Sequence, residues 1–454
     1  MNLSIVILAA GAGTRMRSAL PKVLHPIAGK PLVAHVIETA KKLAPKKIVV
    51  VYGHGGDQVR ATITDPAIAW IEQPQRLGTG DAVNKAMPLL TDDEMVLVLY
   101  GDVPLISEST LRNLLTQTAG NSLAILTTNL ANPFGYGRIV RNSDNKVQRI
   151  VEEKDANLVE RAITEVNTGF LAAPAARLRN WLSRLTNNNA QGEYYLTDVV
   201  GLARGDGNTV ATAQPQSEDE ILGVNNRSQL ADLERRFQRR VAEELMAGGA
   251  TLADPARIDV RGTLKTGTDV MIDVNAVFEG RVTLGNNVVI GPNCLLRNAT
   301  LGDDVKIFAN CVIEESTIGA QSRIGPFARV RPETTLADHV HIGNFVEIKK
   351  SVIGPNSKVN HLSYVGDTTI GSDCNIGAGT ITCNYDGANK HRTLIGDRVF
   401  VGSDTQLVAP ISVGNDATIG AGTTVTKDVP ENMLCISRVP QQVRAGWKRP
   451  TKKR

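Results

Sequence analysis

Residues 284–307 read LGNNVVIGPNCLLRNATLGDDVKI, and this stretch decides the fold of the C-terminal half of the chain. An aliphatic residue recurs at a step of six, shortened to five at every third position except after Val330. Three six-residue sides per turn are typical of a parallel β-helix, whose stacked turns share one core. The recurring positions are Leu284, Ile290, Leu296, Leu301, Ile307, Ile313, Ile318, Ile324, Val330, Leu336, Ile342, Ile348, Ile353, Val359, Val365, Ile370, Ile376, Ile395, Val401, Leu407, Val413 and Ile419.

The rhythm breaks between Ile381 and Ile395. The interruption, NYDGANKHR at 384–392, is polar, so we expect it to leave the coil as a loop. Sides of six residues resemble the hexapeptide-repeat proteins, which implies the left-handed form, since spacing alone does not fix the hand. We predict a left-handed parallel β-helix domain over residues 250–454.

The N-terminal half has a different pattern, in which short apolar runs alternate with helix-like stretches. The runs lie at 2–10, 47–52, 95–100 and 123–127. Strands that alternate with helices indicate a Rossmann-like, mostly parallel sheet with ligands at the carboxyl ends of its strands. We predict one such α/β domain over residues 1–227, with helices that include 31–42 and 79–89.

A single amphipathic helix is predicted between the two patterns. Apolar residues from Ser228 onward follow helical spacing, and the pattern ends at Gly248-Gly249. We assign residues 228–249 as the linker between the domains. The apolar positions are Leu230, Leu233, Phe237, Val241 and Leu245.

The net charge of +4 misrepresents most of the chain. Six basic residues and no acidic ones fall between Pro440 and Arg454, and removing them leaves the rest at −2. This balance argues against a nucleic-acid binder. The tail is either a solvated, disordered end or a clamp for a polyanionic ligand. Its basic residues are Arg444, Lys448, Arg449, Lys452, Lys453 and Arg454.

Hydropathy and cysteine usage predict where the protein works. No run approaches the roughly 20 apolar residues of a membrane span, and the first ten residues lack the charged region of a signal peptide. The five cysteines are scattered and form no CxxC pair, which argues against a disulfide framework or a zinc site. We therefore predict a cytoplasmic protein without membrane contact.

A glycine-rich loop at residues 8–16, LAAGAGTRM, follows the first predicted strand. Exposed amides in such loops bind phosphates. It is not a Walker A loop, because no Gly-Lys-Ser/Thr closes it, and Met16 occupies the third glycine position of the dinucleotide fingerprint. Arg15 and Lys22 favour a triphosphate site over a tight turn without a ligand.

With Thr-Arg-Met and Pro21-Lys22, the glycine-rich loop resembles that of the sugar-nucleotide pyrophosphorylases. Further motifs extend this resemblance along nearly the whole chain. Together with the β-helix, the motifs are similar to those of the bacterial bifunctional UDP-N-acetylglucosamine pyrophosphorylase/glucosamine-1-phosphate N-acetyltransferase family. They are LGTG at 77–80, YGD at 100–102, YGR at 136–138, Glu152, NTG at 167–169, GVNN at 223–226 and NYDG at 384–387.

The resemblance implies two reactions. The C-terminal domain would acetylate glucosamine-1-phosphate with acetyl-CoA. The N-terminal domain would then transfer UMP from UTP to N-acetylglucosamine-1-phosphate and release pyrophosphate. The product, UDP-N-acetylglucosamine, would supply cell-wall and lipopolysaccharide precursors. The family forms homotrimers with acyl-CoA sites between subunits.

The same resemblance implies the residues of the N-terminal site. Asp102 and Asn225 would hold Mg²⁺, and both offer the hard oxygen ligands that this ion prefers. Arg15 and Lys22 would neutralise the charge of in-line attack, and Gln73 would read uracil. Asp81 stands where the family carries His, which puts one local contact in doubt. Gly137, Glu152 and Asn167 match the positions that bind the sugar. The other positions that match nucleotide or product contacts are Leu8, Ala9, Ala10, Gly11, Lys22, Gln73, Gly78, Thr79, Tyr100, Gly101, Asp102 and Asn225.

In the C-terminal domain, His361 matches the proton acceptor, and an imidazole pKa of ~6.5 suits that role near neutral pH. A rival is Cys383 acting as an acetylated nucleophile, for which no activating His lies close in sequence. The positions that match sugar-phosphate contacts are Arg331, Lys349, Tyr364, Asn375 and Lys390. Those that match substrate and acetyl-CoA contacts are Ala378, Asn384, Tyr385, Ser403, Ala421 and Arg438.

Two other functions stay open at this point. In the first, the protein is another sugar-nucleotide pyrophosphorylase whose β-helix serves only oligomerisation or allostery. The residues around His361 argue against this alternative. A non-catalytic regulatory subunit would not need Lys22, Asp102 and Asn225 intact.

Overall fold

The computed structural model describes residues 2–53, 55–119 and 123–452, and contacts divide the chain into Met1–Phe237 and Gln238–Arg454. The first unit is built on a twisted sheet. Its seven central strands run parallel, except that Glu165–Pro174 is antiparallel to both of its neighbours, so the mostly parallel sheet is confirmed. In spatial order the strands are Val210–Ala213, Leu123–Asn129, Glu165–Pro174, Met95–Tyr100, Leu3–Ala9, Lys47–Tyr52 and Ile68–Glu72.

Smaller elements complete this unit. Strands Arg138–Arg141 and Val147–Val151 extend the sheet beside Glu165–Pro174, and Pro26–Ile27 pairs with Lys30–Pro31. Helices pack against the sheet and bury apolar cores. The helices are Leu32–Lys42, Gly56–Thr62, Thr79–Ala86, Glu108–Thr116, Leu158–Arg161, Ala175–Leu182 and Asp198–Gly205, with 3-10 turns at Thr14–Met16, Lys22–Leu24, Met87–Leu89 and Glu218–Ile221.

The carboxyl ends of four neighbouring strands position the site. The strands ending at Ala9, Tyr52, Glu72 and Tyr100 are parallel and adjacent, so their following loops meet at one edge of the sheet. The glycine-rich loop, Gln73 and Asp102 all follow these ends directly. This edge is the place where parallel α/β sheets bind ligands.

A long helix, Arg227–Ala247, follows the first unit. It ends because Gly249 adopts a positive φ of 99°, and the Ala250 N–H donates to the Leu245 carbonyl. In its first half Leu233 packs with Met16 and Ile27, and in its second half Ala242 joins the β-helix core. The contact-based division falls inside the helix, so the domain boundaries at 227 and 250 stay predictions.

The second unit is a coil whose turns visit three sides in succession, and each strand pairs in parallel with its equivalent one turn later. The first side contains Thr251–Leu252, Met271–Ile272, Val289–Ile290, Lys306–Ile307, Arg323–Ile324, His341–Asn344, Lys358–His361, Asn375–Ile376, Phe400–Val401, Thr418–Ile419 and Leu434–Cys435. The second contains Leu295–Arg297, Val312–Glu314, Arg329–Val330, Glu347–Lys349, Tyr364–Gly366, Ile381–Cys383, Gln406–Val408 and Thr424–Val425. The third contains Thr300–Leu301, Ser316–Ile318, Thr334–Leu336, Val352–Ile353, Thr368–Ile370, Thr393–Ile395 and Ile411–Val413. Two longer strands, Ile258–Thr266 and Ala276–Leu284, run along both the second and third sides.

The periodic aliphatic residues point inward, and all of those named from the sequence are buried. Each buried Ile, Leu or Val side chain contributes roughly 1.5–3 kcal/mol. Beside the break, Thr382 pairs with Leu407 and is buried, whereas Ile381 is 42% exposed. The inward position is therefore one residue beyond Ile381.

The interruption leaves the coil as predicted. Residues 385–390 are exposed, and the register resumes with Thr368 opposite Thr393. A Tyr385–Lys390 bridge closes the loop, and the Asp386 carboxylate accepts backbone hydrogen bonds at 2.7 and 2.8 Å. These bonds and the neighbouring His391 hold the pKa of Asp386 well below its usual range.

Within the described part of the chain, none of the helices combines the length and hydropathy required to cross a membrane.

Candidate functional site

A cavity of about 360 Å³ opens at the carboxyl edge of the N-terminal sheet. Most of the nucleotide-binding residues predicted from the sequence line it. Arg76 and Glu193 also line it and were not among the predicted residues. The lining residues are Leu8, Ala9, Ala10, Gly11, Ala12, Lys22, Val23, Gln73, Arg76, Gly78, Thr79, Ala82, Tyr100, Asp102 and Glu193.

The glycine-rich loop folds closely over Lys22. Gly13 has a φ of 61°, and a Cβ added there would lie 2.6 Å from the Lys22 Cβ, so glycine is required. Lys22 Nζ forms an ion pair with Asp102 Oδ2, and both side chains are largely buried, at 11% and 18% exposure. At the preceding residue, the Gly101 N–H donates to the Leu8 carbonyl at 2.9 Å and ties the Asp102 strand end to the loop.

Asn225, near the C-terminal end of the first unit in sequence, also contacts Lys22. Its Oδ1 accepts from Arg15 Nη2 at 2.9 Å and from Lys22 Nζ at 3.3 Å. Gln229, in the first turns of the long helix, accepts a hydrogen bond from the Asn225 N–H at 2.8 Å. The side chains of Arg15 and Lys22 thus meet the side-chain oxygens of Asp102 and Asn225, which lie far from them in sequence.

The Asp102 and Asn225 oxygens fit a divalent cation. Both contact the single Lys22 ammonium, so they converge on one point that already carries positive charge. One carboxylate and one amide oxygen are hard ligands, and Mg²⁺ binds in proteins through few such groups, with water or phosphate oxygens completing its shell.

Glu152 lies in a separate cavity of about 300 Å³, beside Thr197 and Asp198. Its Oε1 accepts a hydrogen bond from the Thr197 hydroxyl at 2.9 Å. Burial raises the pKa of Glu152, and the nearby Asp198 carboxylate raises it further. The sequence did not single out Thr197, because nothing in its pattern marks it as the partner of Glu152.

The remaining predicted sugar-binding residues surround Glu152. A Cβ on Gly137 would lie 2.9 Å from Ile150 Cγ2 and 3.4 Å from Glu152 Oε2, so the Gly137 backbone packs directly beside this carboxylate. The Asn167 N–H donates to the Gly137 carbonyl at 2.8 Å. Gly169 lies against the Tyr100 ring, and Tyr100 also lines the larger cavity. These residues therefore lie side by side, although Gly137, Glu152 and Asn167 do not line the larger cavity.

In the second unit, the turns between the first and second sides form a column that we call the first corner, residues 344–347, 361–363, 377–380, 402–405 and 420–423. His361, Ala378, Ser403 and Ala421 stack along it on successive turns. The Gly379 N–H donates to the His361 carbonyl at 3.2 Å, and the Gly422 N–H donates to the Ser403 carbonyl at 2.8 Å. A Cβ on Gly420 would lie 2.8 Å from the Arg438 guanidinium, so Arg438 also reaches this corner.

Asn344 stands one turn before His361, and its Oδ1 lies 2.6 Å from His361 Nδ1. An amide oxygen accepts hydrogen bonds, so with this amide orientation the ring proton sits on Nδ1 and the Nε2 lone pair is free. His361 is exposed. The sequence analysis did not single out Asn344, because it lies 17 residues before His361. This separation is the length of one turn of the coil, so the repeat period could have identified Asn344 as the neighbour of His361.

The second corner, formed by the turns between the second and third sides, carries Arg331 and Lys349 on successive turns. Arg331 Nη1 donates to Glu347 Oε1 at 2.7 Å. The loop at 384–392 leaves the coil from the same corner. Asn375 is not with these residues, because it pairs with Lys358 on the first side.

Loop residues extend the second corner. Buried Asn384 donates to Asp367 Oδ2 at 2.5 Å and lies 3.5 Å from the Tyr364 hydroxyl. The Lys390 ammonium lies 4.2 Å from the centre of the Tyr385 ring, a cation–π contact. Apart from Asn375, which lies on the first side, the predicted acetyltransferase residues therefore divide between two corners of one chain.

Cys383 lacks the surroundings of a nucleophile. Burial raises the pKa of its thiol, and its Sγ lies 3.9 Å from the Ile381 carbonyl oxygen. A reactive cysteine needs a lowered pKa. The observed environment therefore weighs against an acetyl-cysteine intermediate.

The basic tail is exposed from Ser437 through Lys452, and Lys453 and Arg454 lie outside the described residues. Arg444, Lys448, Arg449 and Lys452 thus face solvent in this chain.

Comparisons with known proteins agree with both units. Residues 5–183 match the MobA-like NTP transferase domain, 260–346 match the GMPPB C-terminal domain, and 392–427 match the bacterial transferase hexapeptide (six repeats). The protein named Bifunctional protein GlmU in Marinobacter nauticus is 58% identical over 450 residues, covering 99% of each chain. Its namesake in Paraburkholderia phymatum is 59% identical over 452 residues, covering 100% of each. The chain belongs to the GlmU family.

Membership in the GlmU family, with the two domain types, confirms the bifunctional enzyme predicted from the sequence. The chain combines a nucleotidyltransferase with a left-handed β-helix acyltransferase, and its substrates are small molecules that include acetyl-CoA. A β-helix limited to oligomerisation and a non-catalytic subunit are thereby both set aside. A solved structure of UDP-glucose pyrophosphorylase complexed with UDP-glucose resembles 53% of this chain and 100% of its own, at 17% identity and a TM-score of 0.46.

Proposed function

We propose that the N-terminal cavity binds UTP and N-acetylglucosamine-1-phosphate and joins them. A phosphate oxygen of the sugar phosphate attacks the α-phosphorus of UTP, the bond from that phosphorus to the β-phosphate bridge breaks, and pyrophosphate leaves. The attacking group is already ionised, so no general base is needed. Lys22 and Arg15 stabilise the charge that builds up. The convergence of Lys22, Arg15, Asp102 and Asn225 at the cavity supports this step best.

We also propose Asp102 and Asn225 as the protein ligands of Mg²⁺. Bound there, the ion would neutralise phosphate charge and orient the reacting groups. Lys22 Nζ contacts both oxygens, and Asn225 Oδ1 also accepts from Arg15 Nη2.

The sugar would lie toward Tyr100, Gly137 and Glu152. Glu152 offers a carboxylate beside a residue without a side chain, which suits hydrogen bonds to sugar hydroxyls or an N-acetyl group. Tyr100 contributes to the larger cavity and carries negative neighbours at Asp102 and Glu152, so it connects the phosphate and sugar regions.

For acetyl transfer, His361 would act as the general base. The amine nitrogen of glucosamine-1-phosphate attacks the thioester carbonyl of acetyl-CoA, and Nε2 of His361 accepts the amine proton. The C–S bond then breaks, and the departing CoA thiolate takes up that proton. Asn344 supports this role because it engages Nδ1 and leaves Nε2 as the acceptor. Arg331, Lys349 and Lys390 would bind the sugar phosphate.

The active acetyltransferase is proposed to be a homotrimer whose sites combine residues of neighbouring copies. Within one chain the candidate residues divide between two corners, and Asn375 lies on a further face. An apolar ridge runs along the first corner and the turn before it and also stays exposed. Its residues Phe327, Phe345 and Leu362 are 50%, 55% and 66% exposed, and the two phenyl rings stack 5.2 Å apart. Exposed apolar patches of this kind mark protein contacts.

The ridge gives a test of the trimer. We expect Phe345→Asn to convert the trimer to monomers and to abolish most acetyl transfer, because it removes the central apolar side chain; Asn tolerates the positive φ of 57° found there. Light scattering and an acetyl-CoA assay measure the two effects. Phe134→Asn, which changes a 76% exposed phenylalanine in the N-terminal unit, is the control and should stay trimeric. A fully active monomer would refute the proposal.

The cellular compartment is proposed to be the cytoplasm. All five cysteines are free, and Cys294, Cys311 and Cys374 are buried in the β-helix. Unpaired thiols suit a reducing environment. There the enzyme would supply UDP-N-acetylglucosamine for cell-wall and lipopolysaccharide precursors.

Mass spectrometry tests the two-step function and the domain boundaries together. The full chain, mixed with glucosamine-1-phosphate, acetyl-CoA, UTP and Mg²⁺, should form UDP-N-acetylglucosamine. A fragment of residues 1–248 should form it only from N-acetylglucosamine-1-phosphate, because the described cavity residues all lie before the linker helix. A folded fragment without this activity would contradict the proposed boundary, and a full chain without product would contradict the function.

A further inference from the structure

The Gln73 side chain is held by two hydrogen bonds at the edge of the nucleotide cavity. Its Nε2 donates to the Gly78 carbonyl at 3.0 Å and to Asp81 Oδ2 at 2.8 Å. The residue is only 5% exposed, yet it lines the cavity. Both protons of the amide nitrogen are therefore used inside the protein.

The chemistry of the partners fixes the orientation of this amide. A backbone carbonyl and a carboxylate only accept hydrogen bonds, so the amide nitrogen, and not its oxygen, must face them. In the described part of the chain no group donates to Gln73 Oε1. The group that Gln73 offers to a ligand is therefore an acceptor.

We propose that Asp81 is a positioning residue that makes Gln73 an obligate acceptor and so selects the base of the nucleotide. The inference rests on the proposed function and deepens it. A uracil ring carries an N3–H donor, which pairs with Oε1. A cytosine ring carries an unprotonated N3 acceptor, which is repelled by Oε1. A site whose buried polar group is left unpaired rejects the wrong ligand strongly.

Asp81 has a second contact, which suggests an alternative role in stabilising its helix and not in selecting the base. Its Oδ1 lies 3.9 Å from Lys85 Nζ, and Asp81 stands in the first turn of the helix Thr79–Ala86, where a negative charge is favourable. If Asp81 served only this helix, its loss would lower stability and would affect UTP and CTP equally.

The test compares kcat/KM for UTP and CTP, with N-acetylglucosamine-1-phosphate and Mg²⁺, in the full-length protein. In Asp81→Asn the side chain at position 81 can pair with either end of the Gln73 amide, and only the Gly78 carbonyl still favours the original orientation. We therefore expect the UTP/CTP ratio to fall about tenfold or more, which corresponds to about 1.4 kcal/mol. Asp81→Ala, which leaves Gly78 as the remaining partner, should lower the ratio less. Lys85→Gln breaks the ion pair alone and should leave the ratio unchanged.

A double-mutant cycle isolates the route through Gln73. In a Gln73→Met background, adding Asp81→Asn should not change the UTP/CTP ratio of kcat/KM any further. An unchanged ratio in both folded Asp81 variants, or the same fall in the Met background, would overturn the assignment of Asp81. Failure of the unmodified protein to use UTP would instead overturn the proposed function, and this inference with it.

Discussion

Asp102→Ala is expected to abolish uridylyl transfer while acetyl transfer continues. Asp102 is the one carboxylate that contacts Lys22 in the described structure, and the reaction depends almost wholly on charge neutralisation. Loss of metal-based stabilisation is worth several kcal/mol, so the rate should fall by about 10³-fold or more. Acetyl transfer from glucosamine-1-phosphate should stay within about twofold, because its candidate residues belong to the other unit and share no partner with Asp102.

The measurement is both half-reactions on the purified variant, with pyrophosphate release followed for the first. Asp144→Ala is the matched control, since Asp144 is an exposed acidic residue of the same unit and forms no ion pair in the described structure. Uridylyl transfer at the unmodified rate in Asp102→Ala, or parallel loss of both activities in a folded protein, would contradict the role given to Asp102.

His361→Ala is expected to lower acetyl transfer by roughly 10²–10⁴-fold, the usual contribution of a general base. The Asn344 contact holds Nδ1, so the substitution removes the one ring nitrogen available to accept the amine proton. Residual activity should rise with pH, because the amine then loses its proton to solvent before it binds. Uridylyl transfer from supplied N-acetylglucosamine-1-phosphate should survive.

His339→Asn serves as the control for this variant. His339 is exposed on the same coil, and asparagine suits its positive φ of 61°. Gel filtration checks that both variants keep the oligomeric state of the parent. Acetyl transfer at the parental rate in His361→Ala would show that another group accepts the proton.

The fold was predictable because its signals are local and periodic. Each inward aliphatic residue of the β-helix repeats one turn later, and the strands of the N-terminal sheet end at the loops that carry the motifs. Two details were not visible. Thr382 takes the inward position beside Ile381, because a polar residue there breaks the apolar pattern. The antiparallel strand Glu165–Pro174 carries an apolar run that does not reveal its direction.

Site residues that belong to a recognisable sequence motif could be predicted. Pairs of residues that meet only through packing of the folded chain could not. Lys22, Asp102 and Asn225 each sit in a recognisable motif, and the fold brings them into contact. Asn344, Thr197 and the Gln73–Asp81 contact depend on geometry across turns or loops. Composition gives no sign of such pairs.

The loop at 384–392 also bears on how this coil tolerates change in length. The chain leaves after Cys383 and returns at Thr393 still opposite Thr368, so the nine residues between add no offset to the turns that follow. Residues gained or lost within the loop are absorbed outside the core. Loss of a single residue within a side would exchange the inward and outward positions of that side, so that aliphatic side chains would face solvent. The β-helix can therefore accept insertions at its corners, where they leave the inward positions of the following turns unchanged.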